Sequence, residues 1–258
     1  MLDISNYPLA VTFVIGLTAI LVVSEFGWQL GVRSKTPASG NFGTLESAIL
    51  GLLALMLAFT FSMALTRFEA RRDAVMNEAN AIGTTALRAR LLPEPQRSAT
   101  LKLLREYVQI RLDIVRSGTS LIELTRAVDR SNALHEALWQ QAKAMAAKDK
   151  GFIPTGMFIQ SLNEMIDDQG KRLSALRNRI PNPVLLTLFA IASIAGAFAG
   201  YASATDSQRA RVPVYVMGIL VCAVIYLIMD LDRPSAGVIT NNQQPMVDLA
   251  ASIANFSD

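Results

Sequence analysis

Apolar and charged positions separate along this chain into blocks. Four stretches, 4–24, 47–66, 181–205 and 212–229, contain no Asp, Glu, Lys or Arg. A helix needs roughly 20 predominantly apolar residues to cross a bilayer core. The first three stretches reach that length, and the fourth falls just short of it before Asp230. The pattern predicts an all-α polytopic membrane protein with four transmembrane helices. Its parts are a first hairpin (1–66), a helical domain between spans two and three (67–180), a second hairpin (181–233) and a tail (234–258).

Span two is expected to run on past the membrane. No Pro or Gly interrupts it after Thr66 until Gly83, and Phe68, Val75, Ala79, Ile82 and Ala86 recur at helical spacing, which predicts one long helix ending near Pro93. Three further stripes complete the domain. Leu101, Leu104, Val108, Leu112 and Val115 mark one, ending near Gly118. Leu124, Val128, Leu138 and Met145 mark a second, over 120–148. Gly151 and Pro154 break the chain before Phe158, Leu162, Ile166, Leu173, Leu176 and Ile180. Stripes at three- and four-residue spacing bury themselves against partner helices, so an antiparallel bundle is expected. The short, interrupted stripes argue against a coiled-coil seam. In the tail, residues 246–256 are weakly amphipathic.

Orientation follows the Lys and Arg residues near span ends. Arg67, Arg71, Arg72, Lys171, Arg172, Arg177, Arg179 and Arg233 lie on the domain side, eight against the four of Arg33, Lys35, Arg209 and Arg211 in the short loops. This places the domain and both termini in the cytoplasm. Residues 1–8 hold Asp3 and no basic residue, so a cleaved signal peptide is not expected. Trp28 sits where an interfacial aromatic anchor belongs, and the Gly-, Ser-, Thr- and Pro-rich residues 34–44 form a short external loop.

A charged fraction of 17% and a hydrophobic fraction of 52% fit the membrane class. The net charge of +3 gives no argument for nucleic acid. With one Cys and one His, the chain offers no internal disulfide and no zinc cluster. No nucleophile elbow, phosphate-binding Gly-rich loop or metal-spaced His pair is present, so neither an enzyme nor a cofactor is expected. His135 reads as a solvated or satisfied mid-helix histidine, and Cys222 as a small buried apolar residue. Asp230 and Asp232 are weak candidates for a cation site, with an interfacial helix stop paired to Arg233 as the simpler role. Glu25 follows span one at a membrane boundary, where hydration alone accommodates it.

Span three carries Gly196-Ala-Phe-Ala-Gly200, flanked by Ala192 and Ala204, a small-residue pattern for close helix packing in lipid. Span two presents Leu52, Leu55, Phe59 and Met63 on one face. Several copies around an axis would turn that face into a hydrophobic constriction that gates by dewetting. Contact with lipid or with neighbouring helices explains the same stripe equally well.

Span two also carries a resemblance. Leu57-Ala-Phe59, then Thr66-Arg67-Phe68 and the run Glu69-Ala-Arg71-Arg72, resemble the second span of bestrophin-type channels, where a Leu-Gly-Phe element precedes a Thr-Arg-Trp or Arg-Trp-Trp-Glu-x-Arg element. The stretch Leu231-Asp-Arg-Pro-Ser-Ala-Gly237 resembles a bacterial family called bestrophin-like, and that likeness extends over nearly the whole chain. The resemblance implies a homo-oligomer, pentameric in bestrophins, conducting inorganic ions, mostly anions. It places Phe59 and Leu55 in a hydrophobic neck. Gly51 would replace a bulky third neck residue. Arg67 and Glu69 fall on the element just below the membrane, where Arg67, Arg71 and Arg72 would make a cationic vestibule. Phe68-Glu69 replaces a Trp-Trp pair, and the acidic calcium clasp of animal bestrophins has no counterpart. The rival expectation is a non-conducting scaffold or sensor whose helical domain docks a partner.

Overall fold

A computed structural model describes residues 7–34, 40–116, 121–148, 153–206, 210–234 and 237–256. Asp3, Lys35, Gly118, Gly151, Arg209 and the Ser235-Ala236 part of the turn after span four lie outside them. The described residues form eight helices and no strand: α1 (Leu9–Arg33), α2 (Gly40–Ala89), α3 (Gln96–Arg116), α4 (Leu121–Lys148), α5 (Ile153–Arg177), α6 (Asn182–Thr205), α7 (Val212–Asp232) and α8 (Gln244–Ala254). Four helical segments are long and apolar enough to cross a bilayer, as the charge-free blocks require. α2 is a single 50-residue helix, because nothing between Thr66 and Gly83 breaks it and Gly83 itself is tolerated.

The chain folds into two compact units, residues 1–68 with 179–239 and residues 69–178 with 240–258. In the first, α1 packs closely along α6 through facing rows of small residues. Gly16, Ser24, Gly27 and Gly31 of α1 meet Ala192, Gly196, Gly200 and Ala204 of α6, and all eight are buried. A β-carbon on Gly27 would lie 2.1 Å from the Ala197 carbonyl oxygen, and one on Gly31 would lie 2.7 Å from that of Tyr201. Without a hydrophobic driving force between helices in lipid, such backbone proximity supplies the dispersion contacts that hold them. α7 covers another side of α1. Phe13 stacks edge-on against Tyr226 with centroids 5.5 Å apart, and buried Cys222 lies 3.7 Å from the Phe13 carbonyl. Phe42 at the start of α2 stacks on Phe198.

The second unit is a helical bundle whose core holds Ile82, Leu104, Tyr107, Val108, Leu138, Phe158, Leu162 and Met165. Thr85 ties α2 to α5 by donating to the Ser161 carbonyl at 3.0 Å. The described residues of the tail, 237–256, divide between the two units. Residues 237–239 close against α7, while α8 buries Met246 and Ile253 in the bundle and sets Leu249 on Gly83. Met246, Leu249, Ala250 and Ile253, with Phe256 just beyond the helix, form a helical stripe that has the bundle as partner. Arg105 donates to the carbonyls of Ile253 and Phe256, completing the last turn of α8.

Candidate functional site

Within the first unit, α2 is two-faced. Leu53, Thr60 and Ala64 are buried, with Met56, Leu57, Phe61 and Phe68 packed beside them. Leu52, Leu55, Phe59 and Met63 lie about 115° around the helix from that row, taking about 100° per residue. Phe59 is 64% exposed and Leu55 52% exposed, so the chain leaves most of this face uncovered. A β-carbon at Gly51 would meet nothing within 4 Å, so this glycine is not required for close approach. The result is a continuous apolar ridge on a membrane-spanning helix.

At the end of α7, and at Arg67 midway along α2, the charged residues are engaged rather than open. Both Asp232 carboxylate oxygens accept the Ile180 N–H at 3.0 Å, and Arg67 lies 3.8 Å from the same side chain. Asp230 accepts the N–H groups of Val238 and Ile239, each at 3.0 Å, which folds the chain back over the end of α7. Gly237 makes that fold possible: its φ is +157°, and a β-carbon there would lie 2.0 Å from the Asp230 Oδ1. Arg233 turns away and donates to the Tyr7 carbonyl at 2.6 Å. Backbone donors thus engage both aspartates, and Arg233 remains within the field of their charges. The weak cation candidates Asp230 and Asp232 thus each hold backbone N–H groups. Among the described residues no group of three or more His, Cys, Asp or Glu side chains could hold a metal.

The candidate vestibule residues separate. Glu69 and Arg72 are exposed, whereas Arg71 is only 2% exposed and fills the interior of the second unit. Arg67 faces Asp232, so its charge is partly offset. Of the three arginines expected to line a vestibule, Arg72 alone is exposed.

The second unit also holds a buried polar network that the apolar stripes gave no reason to expect. Glu78, fully buried on α2, faces Arg111 of α3 (Nε–Oε1 2.9 Å) and Arg172 of α5 (Nη1–Oε2 2.5 Å). Tyr107 donates its hydroxyl to Glu78 at 2.8 Å, and Arg172 reaches the Gln243 side chain at 3.0 Å. Burial, then the Glu78 carboxylate, push the Tyr107 hydroxyl well above its ordinary range. His135 is buried with its ring 5.0 Å from that of Tyr107, not solvated. Burial first, and the Arg111 charge second, lower it to about 4 against a smaller opposing effect of Glu78, so it is neutral near pH 7. The available signal was one Glu and two Arg at positions that continue the helical stripes.

These features define a class: an all-helical protein with four membrane spans, an exposed apolar ridge on one of them and a bundle joined through that same helix. The bestrophin-like domain model matches residues 13–246, and the chain belongs to the bestrophin-like family. Among solved structures it is similar to a bacterial bestrophin homologue from Klebsiella pneumoniae. One single-residue mutant of that protein is 15% identical with a TM-score of 0.70, covering 96% of each chain. A second is 14% identical with a TM-score of 0.68, covering 94% of this chain and 96% of the other. The structure obtained by Zn-SAD phasing is 15% identical with a TM-score of 0.64, covering 93% and 95%. No curated protein matches the chain significantly.

Proposed function

We propose that this chain is the subunit of a closed homo-oligomer, pentameric by analogy with bestrophins, that conducts inorganic ions along an axis lined by α2. Family membership supports conduction, since members of the bestrophin-like family are ion channels and not enzymes. The observation that carries the pore assignment is the ridge of Leu52, Leu55, Phe59 and Met63, left exposed opposite the packed face of α2. Gathered around an axis, Leu55 and Phe59 form a dry constriction that must wet before ions pass. Anions are the favoured permeant species in this reading. The exposed Arg72 contributes positive potential at the mouth, opposed in part by the neighbouring Glu69. The bundle and both termini face the cytoplasm of an inner membrane, as the Lys and Arg distribution directs.

Purified protein in liposomes, assayed separately under chloride and potassium gradients, tests this. Chloride flux supports the channel and its selectivity. Potassium flux keeps the pore and overturns the anion assignment. Absence of both, with incorporation verified, overturns conduction. It then leaves a scaffold or sensor, a reading favoured by an open groove of ≈ 590 Å³ between α2 and α5, lined in part by Asp73, Asn77, Asp168 and Lys171. A monodisperse monomer in mild detergent would remove any central pore.

A further inference from the structure

The loop-side ends of α1 and α7 carry a polar cluster that ion conduction leaves unexplained. Glu25 of α1 accepts hydrogen bonds from the Tyr215 hydroxyl of α7 and from the Gln29 side chain at 3.4 Å. Arg211, just before α7, lies 3.8 Å from Glu25. Its guanidinium carbon sits 3.5 Å above the ring of Trp28, which holds the cation by its π face and leaves the N–H groups in its plane available to an anion. About 45% of the Arg211 side chain and 30% of that of Glu25 remain exposed. Below the cluster runs a groove of ≈ 450 Å³ lined by Leu21, Val22, Glu25, Phe26, Gln29 and Tyr215. Val22 and Phe26, both more than half exposed, form its outer apolar wall.

A groove apolar along a span and charged at one end has the polarity of a phospholipid. The charge pattern narrows the headgroup. Arg211 offers a planar N–H fork suited to a phosphate diester. Glu25, 3.8 Å away, disfavours any further negative charge and offers a carboxylate to a cation beyond the phosphate. A primary ammonium donates hydrogen bonds to that carboxylate, whereas a quaternary ammonium has no N–H to donate. The two side chains sum to zero charge, matching a zwitterion. We propose that this groove binds one phospholipid bearing an ethanolamine headgroup, its phosphate on Arg211, its ammonium on Glu25 and an acyl chain along Leu21, Val22 and Phe26. The assignment stands independently of ion conduction.

Native mass spectrometry of the full chain tests it. The detergent is doped equally with phosphatidylethanolamine, phosphatidylcholine and phosphatidylglycerol of identical acyl chains. The wild type should retain phosphatidylethanolamine roughly tenfold over the other two, the value of one hydrogen bond to a charged group. Glu25→Gln should equalise the ethanolamine and choline lipids, and Arg211→Gln should weaken all three. Val22→Trp fills the groove away from the charges, so it should abolish adducts while helix content and oligomer size stay unchanged. Equal retention of all headgroups, a preference that survives Glu25→Gln, or adducts insensitive to Val22→Trp would each overturn the proposal. So would the absence of any adduct together with disulfide cross-linking of Phe26→Cys between copies, which would make this face a subunit contact.

Discussion

Gly200 of α6 stands against Ser24 of α1 so closely that a β-carbon on it would lie 2.1 Å from the Ser24 carbonyl oxygen. That oxygen belongs to the α1 backbone and cannot move without moving the helix. Gly27 has the reciprocal relation to the Ala197 carbonyl. Gly200→Ala and Gly27→Ala should each destabilise the protein by ~1–3 kcal/mol through overpacking. Gly196→Ala should cost less, because the atom it meets is the Ser24 hydroxyl, which can rotate. Gly51→Ala, with nothing within 4 Å, should cost nothing. Unfolding of the detergent-solubilised variants by denaturant measures the order.

Half of that interface was readable in the sequence and half was not. Gly196 and Gly200 announce themselves by four-residue spacing within an apolar run. Gly27 and Gly31 share that spacing but lie past Glu25, outside the charge-free block, and Gly16 and Ser24 join their row only when the helices lie side by side. The spans themselves were legible because charge is excluded from a bilayer core far more strictly than from a soluble interior. The roles of Asp230, Asp232 and Arg71 were not. Their environment depends on backbone N–H groups and helices that are distant in sequence. A charge pattern alone cannot separate a solvated arginine from a buried one.

Glu78 pairs with both Arg111 and Arg172 in the buried network. Glu78→Gln keeps the shape and leaves two buried guanidiniums without a counter-charge, a defect expected to cost ~3–5 kcal/mol. Arg111→Gln retains the Glu78–Arg172 ion pair and should be the milder change. Hydrogen exchange should show the loss spreading through α3 and α5 in Glu78→Gln. Equal effects of the two substitutions would mean that the charge balance does not govern this core.

His135 makes the fold acid-sensitive. Its folded-state value of about 4 lies below the ordinary 6.5, so the unfolded chain takes up the proton first as pH falls. The favourable neutral state is fully kept above about pH 6.5, is lost progressively towards about pH 4, and the loss then levels off at ~3 kcal/mol. His135→Leu should remove this component. The difference in denaturation midpoint between about pH 7.5 and about pH 4.5 should therefore be smaller in the variant than in the wild type. An identical difference in the two would show that folding leaves the His135 pKa where it is in the unfolded chain.

Asp230 and Gly237 depend on one another. Gly237→Ala would push a β-carbon into the Asp230 carboxylate from a φ that disfavours side chains. Asp230→Asn keeps the outline but turns one acceptor into a donor facing the Val238 and Ile239 N–H groups. Each change should cost ~1–3 kcal/mol by leaving buried polar groups unpaired. Both should expose residues 233–240 to limited proteolysis while the bundle stays resistant. Arg233→Ala, which removes only a bond to the Tyr7 carbonyl, should not open this segment.

Phe59 and Phe61 separate a gate from a general packing effect. They lie two residues apart on α2, yet Phe59 is 64% exposed while Phe61 packs against the core of the membrane unit. A hydrophobic constriction stays closed because water is unstable between apolar rings, and smaller side chains there favour wetting. Phe59→Ala should therefore raise ion flux in liposomes, Leu55→Ala should raise it less, and Phe61→Ala should lower stability without opening the pore. Raised flux in Phe61→Ala alone would place the ridge of Leu52, Leu55, Phe59 and Met63 against lipid and turn the opposite face of α2 toward the axis.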